Sequence, residues 1–310
     1  MADTDVTAAA AALRAGGLVL LPTETVYGLA ADAGNASAVA AIFEAKGRPR
    51  FNPLIAHVAD VVAASRMGEF DSRAQALAEA FWPGPLTIVA PYIGGLAVCD
   101  LARAGLDTVA LRAPSHPVAQ ALLRAFGHPV VAPSANRSGR PSPTRFADAV
   151  EETGASAAVS LDGGDCAVGL ESTVVACLPR EPVRLLRLGG IDRVALEAVV
   201  GPLAEAEGAD AARSPGRLAL HYAPNAPVRL EADGPSEGEA YLGFGPAPEG
   251  PMVLNLSAAG DLREAAANLF AMLRAADRLS PVAIAVAPIP DTGLGEAIND
   301  RLRRAAGYIG

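Results

Sequence analysis

Basic side chains and hydroxyl groups are concentrated in two segments that lie far apart in the sequence. The first begins after a short apolar run with the motif PTETVYGL, which contains Thr25, and continues to Lys46, Arg48 and Arg50. The second is PSANRSGRPSPT at residues 133–144, whose chemistry is similar. Donors of this kind suit the binding of an anionic ligand. Taken alone, the basic part of the first segment is more typical of a solvated loop.

Two further polar clusters lie at or near the ends of predicted strands. One strand ends in Arg112, and the motif GLESTVV carries Ser172. Each cluster has an ordinary structural interpretation, because Arg112 could pair with a carboxylate and the motif could be an edge strand with outward polar groups. The position that most clusters share, at strand ends where open α/β sheets bind ligands, favours a common site.

The chemistry that these residues offer is positioning and charge neutralisation. The sequence shows no Ser/His/Asp set, no CxxC pair and no GxxxxGK[ST] phosphate-binding motif. We therefore expect a reaction in which the substrates supply the nucleophile and the leaving group, while the protein holds them together and offsets their negative charge.

Periodicity and turn residues predict the elements that position these clusters. Predicted helices cover residues 4–15, 36–45, 60–66, 72–80, 117–126, 145–152, 193–200, 261–279 and 294–306. Predicted strands cover residues 18–21, 54–58, 86–91, 109–112, 130–132, 158–161 and a pair formed by STVVACL and VRLLRLG. Residues 201–227 read as a linker by composition. Residues 228–310 alternate between strands and helices again, which predicts a small, mostly parallel sheet with helices packed on it.

Composition limits the class of protein. Hydrophobic residues make up 51% of the 310 residues, which is ample for a buried core. The net charge of −9 argues against a broad basic face that grips nucleic acid. Three irregularly spaced cysteines fit buried thiols in a reducing compartment and not a metal site. We find no secretory signal and no apolar run near the roughly 20 residues of a membrane span, so we expect a cytoplasmic protein without membrane contact.

A series of motifs in fixed order resembles the YrdC-like threonylcarbamoyl-AMP synthases. The motifs are PTETVYGL, KxRP followed by NPL, FWPGPLT, LRxP, PSAN with SGRPSPT, GLESTVV and LGG, and they extend over roughly residues 8–200. The motif LALHYAP and the C-terminal segment resemble the longer, two-domain form of the family. The resemblance implies an α/β fold. Residues 1–200 would form a YrdC-like domain with a twisted mixed β-sheet and flanking helices, 201–227 a linker or lid, and 228–310 a small Rossmann-like three-layer α/β domain.

The resemblance implies that the chain is a nucleotidyltransferase. L-threonine and bicarbonate or carbon dioxide would give N-carboxythreonine, whose carboxylate attacks the α-phosphate of ATP. The products would be threonylcarbamoyl-AMP and pyrophosphate. A downstream tRNA threonylcarbamoyl transferase complex would use the adenylate to modify adenosine 37 of certain tRNAs. Mg²⁺ would enter with ATP, held by phosphates and without a dedicated protein site or permanent cofactor.

The resemblance also implies roles for individual residues. The proposed catalytic set is Lys46, Arg48, Ser134 and Asn136, with Lys46 acting on the carbamate or phosphate charge. Threonine would be held by Thr25, His57, Arg112, Ala132 and Ser172, with Arg112 as a fork on the carboxylate. ATP would be held by Arg48, Asn52, Thr108, Ser134, Ser142, Arg187 and Tyr222, with Tyr222 reaching over the nucleotide.

Three alternatives to this function remain open at the level of sequence. The first is an RNA-binding module of the same fold without adenylate-forming activity, and weak RNA contact could also accompany catalysis. The second is a related carbamoyl-adenylate enzyme such as the homologous domain in hydrogenase maturation, and the third is a diverged paralogue. The small domain shows no catalytic set, so we expect a regulatory or lid-supporting role. Its acidic residues Asp261, Asp291 and Asp300 look like helix caps or solvated surface.

Overall fold

The computed structural model describes residues 3–49, 52–95, 97–208, 210, 213 and 221–308. Part of the predicted linker therefore lies outside the described residues, as does Arg50 of the first basic segment. Across the described ranges, no helix combines the length and apolar character needed to cross a bilayer.

The first part of the chain forms one mixed sheet with helices on it. Its elements are α1 (Asp3–Arg14), β1 (Val19–Leu21), β2 (Gly28–Asp32), α2 (Ala36–Lys46), β3 (Ile55–His57), α3 (Val61–Ala64), α4 (Ser72–Phe81), β4 (Leu86–Pro91), α5 (Asp100–Arg103), β5 (Thr108–Arg112), α6 (Pro117–Phe126), β6 (Val130–Val131), α7 (Phe146–Thr153), a 3₁₀ turn (Gly154–Ser156), β7 (Val159–Ser160), β8 (Thr173–Ala176), β9 (Arg184–Arg187), α8 (Arg193–Val200) and β10 (Ala204–Glu205).

The strands of this sheet follow the order β10-β9-β8-β4-β5-β3-β6-β2-β1-β7. Because side chains alternate across a strand, β1 contributes to two cores. Val19 and Leu21 pack in the cluster that contains residues of α1 and α6, whereas Leu20 packs with Ile42 of α2. Helices thus cover both faces, which confirms the predicted mixed sheet with flanking helices.

Two short strands in this part were absent from the sequence-based expectations. β2 immediately follows the PTETVY segment, where its small residues GLAAD gave no alternating pattern. β10 lies in the segment predicted as a linker and pairs in parallel with β9, so the large sheet extends to Glu205. The predicted pairing of the two segments around Pro179–Pro182 is confirmed, because β8 and β9 are antiparallel neighbours.

The second part of the chain has a smaller sheet. Its elements are β11 (Val228–Arg229), β12 (Ala240–Gly243), β13 (Val253–Asn255), α9 (Leu262–Arg278), β14 (Ile284–Val286) and α10 (Leu294–Ala305). The strand order is β11-β14-β12-β13, and every pair is parallel, as expected. The predicted cap Asp261 is confirmed, since its side chain accepts from Arg263 N and Glu264 N.

The second part of the chain, from β11 to α10, is called here the small unit. The number of its layers differs from the expectation. Both α9 and α10 share an apolar cluster with one face of the sheet, through residues such as Leu269 and Ile298. The opposite face carries Tyr241 and Ala285, which cluster with residues of neighbouring loops and not with a helix. Within the described chain, this unit therefore has one sheet and one helical layer, where three layers were expected.

The first part of the chain, from α1 to β10, is called here the first unit. Helix α9 of the small unit lies directly against it at Gly169. This glycine has a φ of +71°, and a Cβ placed on it would lie 2.4 Å from Ala267 Cα and 2.5 Å from Ala266 O. Such distances are shorter than any real Cβ contact, so the absence of a side chain at this position permits the close approach of the two units.

The Gly169 contact gives a stability prediction. Gly169→Ala combines a left-handed backbone with a clash against α9, whereas Gly164→Ala, at φ +77° with no atom within 4 Å of the added Cβ, has the backbone cost alone. We expect the control to lose about 1–2 kcal/mol and Gly169→Ala to lose at least about 1–3 kcal/mol more because of overpacking. Denaturant unfolding measures both, and equal losses would contradict the close-packed interface.

Candidate active site

One cavity is lined by side chains from the two chemically similar sequence segments and from three strand ends. The predicted residues that line it are Thr25, Arg48, His57, Arg112, Ala132, Ser134, Ser172, Arg187 and Tyr222. The other predicted residues, Lys46, Asn52, Thr108, Asn136 and Ser142, do not line it. The cavity encloses about 60 Å³, which is far below the roughly 300–1,000 Å³ of ordinary ligand pockets. The cavity as it stands does not enclose a whole nucleotide.

Adjacent strands bring His57 and Arg112 together. β3 and β5 are parallel neighbours, and their register pairs these two terminal residues. Burial and the charge of Arg112 lower the pKa of His57 to about 3. The imidazole is therefore neutral at pH 7. Its Nδ1 lies 3.2 Å from Ile55 O, so Nδ1 carries the proton of the neutral ring.

Arg112 is fixed by groups of the first unit. Its Nη2 donates to Glu24 Oε1 at 2.6 Å, Nη1 to Thr25 Oγ1 at 3.0 Å, and Nε to Gly84 O at 3.2 Å. Burial raises the pKa of Glu24, but the charge and hydrogen bonds of Arg112 outweigh it, so the pKa lies below its ordinary value. Three of the five guanidinium N–H groups are thus used. One N–H on each of Nη1 and Nη2 remains for a carboxylate.

The orientation of Thr25 follows from a count of protons. Thr23 Oγ1 donates its single proton to Val26 O at 2.6 Å. In the pair Thr23 Oγ1 and Thr25 Oγ1, 2.8 Å apart, Thr25 must therefore be the donor. The Thr25 hydroxyl is held between Thr23 and Arg112, with both residues buried. This corner of the cavity is rigid before any ligand binds.

Ser172 and Arg187 form a second rigid corner. Arg187 donates from Nε and Nη2 to Ser172 O, at 3.1 and 2.8 Å, and from Nη2 to Ser172 Oγ at 3.0 Å. Ser172 Oγ is also 2.7 Å from Thr87 Oγ1. Burial lowers the pKa of Arg187, yet the guanidinium remains a cation at any ordinary pH. Ser172 is therefore oriented by its neighbours on β4 and β9.

Of the three arginines that line the cavity, Arg48 makes the fewest hydrogen bonds to described residues. Its Nη2 donates to Pro53 O at 3.3 Å, while its buried Nε has no partner among the described residues. Burial and the neighbouring charge of Arg187 lower the pKa of Arg48 to about 10. A buried donor without an acceptor is costly, so an anion at this position would be strongly favoured.

Lys46 holds the loop of residues 133–144, called here the 133–144 loop. Its Nζ donates to the backbone carbonyls of Ser134 and Asn136. Burial and the charge of Arg48 lower the pKa of Lys46 well below its ordinary value, whereas the two carbonyl acceptors favour the protonated form. The catalytic role predicted for Lys46 stays a prediction, and its contacts are those of a residue that supports the loop.

Asn136 and Tyr27 also hold the 133–144 loop. Asn136 Nδ2 donates to Arg137 O at 2.8 Å and to Arg140 O at 2.9 Å, which closes the loop on itself. Backbone bonds from Tyr27 N to Pro143 O and from Ala135 N to Tyr27 O join both ends of the loop to the segment before β2. The hydroxyl of Ser134 is left at the cavity wall.

Glu171 is a cavity residue that the sequence-based assignment missed. Its Oε1 accepts from Ser142 Oγ at 2.6 Å, and its Oε2 accepts from Arg301 Nε of α10 at 2.9 Å. Burial raises the pKa of Glu171, but the charges of Arg301 and Arg187 outweigh burial and leave the pKa below its ordinary value. The position of Glu171 in the motif GLESTVV was a usable signal. The sequence carried no signal for Arg301, because this residue lies in a polar helix among other arginines.

His221 and Tyr222 form the wall contributed by the predicted linker. Tyr222 is fully buried, with its ring 5.2 Å from that of Phe270 and 5.3 Å from the Arg301 guanidinium. It has a φ of +62°, a left-handed conformation that is unfavourable for a tyrosine. Tyr222 thus packs on the small unit and also lines the cavity, and its contact with the nucleotide stays a prediction.

Comparison with known families gives matches along almost the whole chain. Residues 11–189 match the Sua5/YciO/YrdC family, described as telomere recombination. Residues 191–307 match the family described as threonylcarbamoyl-AMP synthase, C-terminal domain.

Individual relatives give the same assignment. The threonylcarbamoyl-AMP synthase of Bacillus subtilis is 40% identical, and the match covers 98% of this chain and 94% of the relative. That of Pyrococcus abyssi is also 40% identical, over 97% and 93%. The crystal structure of P. abyssi Sua5 complexed with L-threonine superimposes with a TM-score of 0.91 at 37% identity, and covers 99% of this chain and 96% of that one.

The buried neutral histidines give a pH prediction. The folded-state pKa of His57 is about 3, and the unfolded value is about 6.5. The unfolded state therefore binds the proton first, so stability is present above pH 6.5 and is lost as the pH falls below it. His57 should cost about 2 kcal/mol of unfolding free energy between pH 7 and 5. His221, also with a pKa of about 3, acts in the same direction.

Urea unfolding of the wild type and His57→Gln at pH 7 and pH 5 measures this effect. The variant should show a smaller fall in stability over this interval. His128→Gln, at an exposed histidine, is the matched control and should keep the wild-type dependence. An identical pH dependence for His57→Gln and the wild type would mean that His57 is not buried in the neutral form.

Proposed function

The chain belongs to the threonylcarbamoyl-AMP synthase family, and from this premise we propose that it converts L-threonine, bicarbonate or carbon dioxide, and ATP to threonylcarbamoyl-AMP and pyrophosphate. The observation that supports this most directly is the grouping of Arg48, Arg112 and Arg187 around one cavity. Three anionic groups must meet in such a reaction, namely the amino-acid carboxylate, the carbamate and the triphosphate. Buried cations offset their mutual repulsion.

The proposed reaction consists of two bond-forming steps. In the first, the neutral amine of threonine forms a bond to carbon and gives a carbamate. With carbon dioxide as the carbon source one proton is released, and with bicarbonate one water molecule is released instead. In the second, a carbamate oxygen attacks the α-phosphorus of ATP. The bond from this phosphorus to the bridging oxygen breaks, and pyrophosphate leaves with that electron pair. This makes the chain a nucleotidyltransferase by mechanism.

We assign the threonine side of the cavity to Thr25, His57, Arg112, Ala132 and Ser172. The two N–H groups that remain on Arg112 match a carboxylate. His57 is neutral and lines the cavity beside Arg112, so it adds no charge next to the carboxylate. Since Thr25 and Ser172 are already held by protein contacts, their orientation costs little when the substrate binds.

We assign the nucleotide side to Arg48, Ser134, Arg187 and Tyr222. Arg48 has the unpaired Nε that an anion would satisfy. Asn52, Thr108 and Ser142 lie outside the cavity lining, and their contact with ATP stays a prediction. The proposed contribution of Lys46 and Asn136 is to hold the 133–144 loop in the conformation that ATP meets.

We also propose that Mg²⁺ binds together with ATP. Among the lining residues the one carboxylate, Glu171, already accepts from Ser142 and Arg301, and the other polar groups include several hydroxyls and arginines, so the lining fits an ion whose ligands come largely from ATP. Phosphate and water oxygens would be its main ligands. When bound, the ion would neutralise part of the phosphate charge.

The product is a mixed anhydride and is a donor for tRNA modification by a downstream threonylcarbamoyl transferase. We propose the cytoplasm as the location, where ATP and tRNA are both available. An RNA-binding module without catalytic activity is the alternative function. It is disfavoured by the net charge of −9 and by the burial of Arg112 and Arg187, whose guanidinium groups are accessible to a small ligand and not to a nucleic-acid surface.

The first test of this function uses Arg48. Arg48→Ala should lower threonine-dependent pyrophosphate release by about 10²–10³, because one donor to a charged transition state is removed. Arg66→Ala, at an exposed arginine, is the matched control and should keep wild-type turnover. Wild-type activity in Arg48→Ala would show that this basic segment has no catalytic part.

The second test concerns the amino acid. A pocket that pairs with the threonine hydroxyl leaves buried polar groups unpaired when the substrate has a methyl group there. We expect kcat/KM for valine to fall below that for threonine by about 10² or more, with serine intermediate. Equal use of valine and threonine would rule out a hydroxyl-recognising pocket while leaving adenylate formation itself intact.

A further inference from the structure

Two buried arginines of the small unit reach the 133–144 loop of the first unit. Arg274 on α9 donates from Nη2 to Pro141 O and from Nη1 to Glu152 Oε1 at 2.9 Å. Arg301 on α10 donates from Nε to Glu171 Oε2, and the other oxygen of Glu171 accepts from the Ser142 hydroxyl. Consecutive residues of the loop, Pro141 and Ser142, are thus held from the small unit.

The contacts of Arg301 extend beyond this carboxylate. Its Nη1 donates to Asp300 Oδ2 at 2.6 Å, and its Nη2 donates to Leu188 O at 2.7 Å. The face of the guanidinium lies over the Tyr222 ring. A single side chain therefore joins Glu171, the segment after β9 and the wall residue Tyr222.

Burial of this kind needs an explanation other than stability. Arg301 is completely buried and Glu171 is 7% exposed. The desolvation of two charges largely cancels their attraction, so apolar residues of similar size would stabilise the interface as well or better. A buried ion pair of this kind can instead specify one arrangement of the groups it joins, because removing either partner leaves the other charge uncompensated.

The geometry points to Arg301 as a positioning residue for the nucleotide side of the cavity. Through Glu171 it fixes the hydroxyl end of Ser142, and Arg274 fixes the adjacent carbonyl of Pro141. This inference rests on the proposed function, since it takes ATP as the ligand of the 133–144 loop. The small unit is then a structural part of the ATP site.

The threonine side should be insensitive to Arg301. Arg112 is held by Glu24 and Gly84 of the first unit, and Thr25 by Thr23 and Arg112. Arg301 is not needed to orient these groups, because their hydrogen bonds all close within the first unit. A change at Arg301 should therefore affect ATP and threonine unequally, which a general loss of folding would not do.

The test compares Arg301→Met, Arg301→Lys and the control Arg303→Met. Arg303 lies on the same helix but is half exposed, with Asp291 as its partner at 3.4 Å. We measure the Kd of ATP by calorimetry and the KM of both substrates by pyrophosphate release. In Arg301→Met, the Kd and KM of ATP should rise by about ten- to hundredfold, the loss of one charged hydrogen bond, while the KM of threonine changes by less than about twofold.

The lysine variant and the control complete this comparison. Arg301→Lys keeps the charge and should show an intermediate rise, whereas Arg303→Met should match the wild type. Unchanged ATP binding in Arg301→Met would overturn the inference. So would equal losses for ATP and threonine that accompany a lowered melting temperature, which is the outcome of a purely structural role.

A double-mutant cycle with Arg301→Lys and Ser142→Ala tests the inference if Arg301→Met does not fold. If Arg301 acts through Glu171 on Ser142, then Ser142→Ala should raise the Kd of ATP by a smaller factor in the Arg301→Lys background than in the wild type. Fully additive effects would show that the two residues act separately, and the inference would be wrong.

Failure of this inference can be told apart from failure of the proposed function. A wild type that forms threonylcarbamoyl-AMP while Arg301→Met binds ATP normally overturns the positioning role alone. A wild type that binds ATP without forming the adenylate, while Arg301→Met binds ATP weakly, overturns the function and supports the positioning role. A wild type without affinity for ATP overturns both.

Discussion

An irregular loop keeps one conformation only if the backbone carbonyls that it buries find hydrogen-bond donors. The candidate active site depends on this constraint, because one of its walls is such a loop. In the 133–144 loop, Lys46 donates hydrogen bonds to the carbonyls of Ser134 and Asn136, and Arg274 donates one to the carbonyl of Pro141. Lys46 is the single lysine of a chain with 25 basic residues. A compact ammonium on a flexible stem can fit between two neighbouring carbonyls, whereas a planar guanidinium prefers a forked partner.

The same constraint explains why two sequence-distant units share one site. The side that we propose for threonine is closed by groups of the large sheet, where the register of β3 and β5 sets His57 beside Arg112. The side that we propose for the nucleotide is completed by α9 and α10, which hold the 133–144 loop and the Tyr222 ring. One side is therefore rigid within a single unit, and the other depends on how the two units pack.

The sequence predicted the α/β class, most strands and helices, and nine of the residues that line the cavity. It succeeded where a motif is continuous in the chain, as in PTETVYGL and PSAN. It missed β2 because small residues give no alternating pattern, and it missed the single helical layer of the small unit. Arg301 could not be found either, since α10 shows several arginines and only the packing of the units selects the buried one. Contacts across an interface leave no local signature.

The central claim is that one cavity joins threonine, inorganic carbon and ATP. The most direct measurement supplies the wild-type protein with carbon-13 bicarbonate, L-threonine and ATP with Mg²⁺, and follows the nucleotide products by mass spectrometry. The account predicts an AMP adduct of threonylcarbamate that contains one carbon-13 atom and appears together with pyrophosphate. Pyrophosphate release without a labelled adenylate, or a product that forms equally well without threonine, would contradict it.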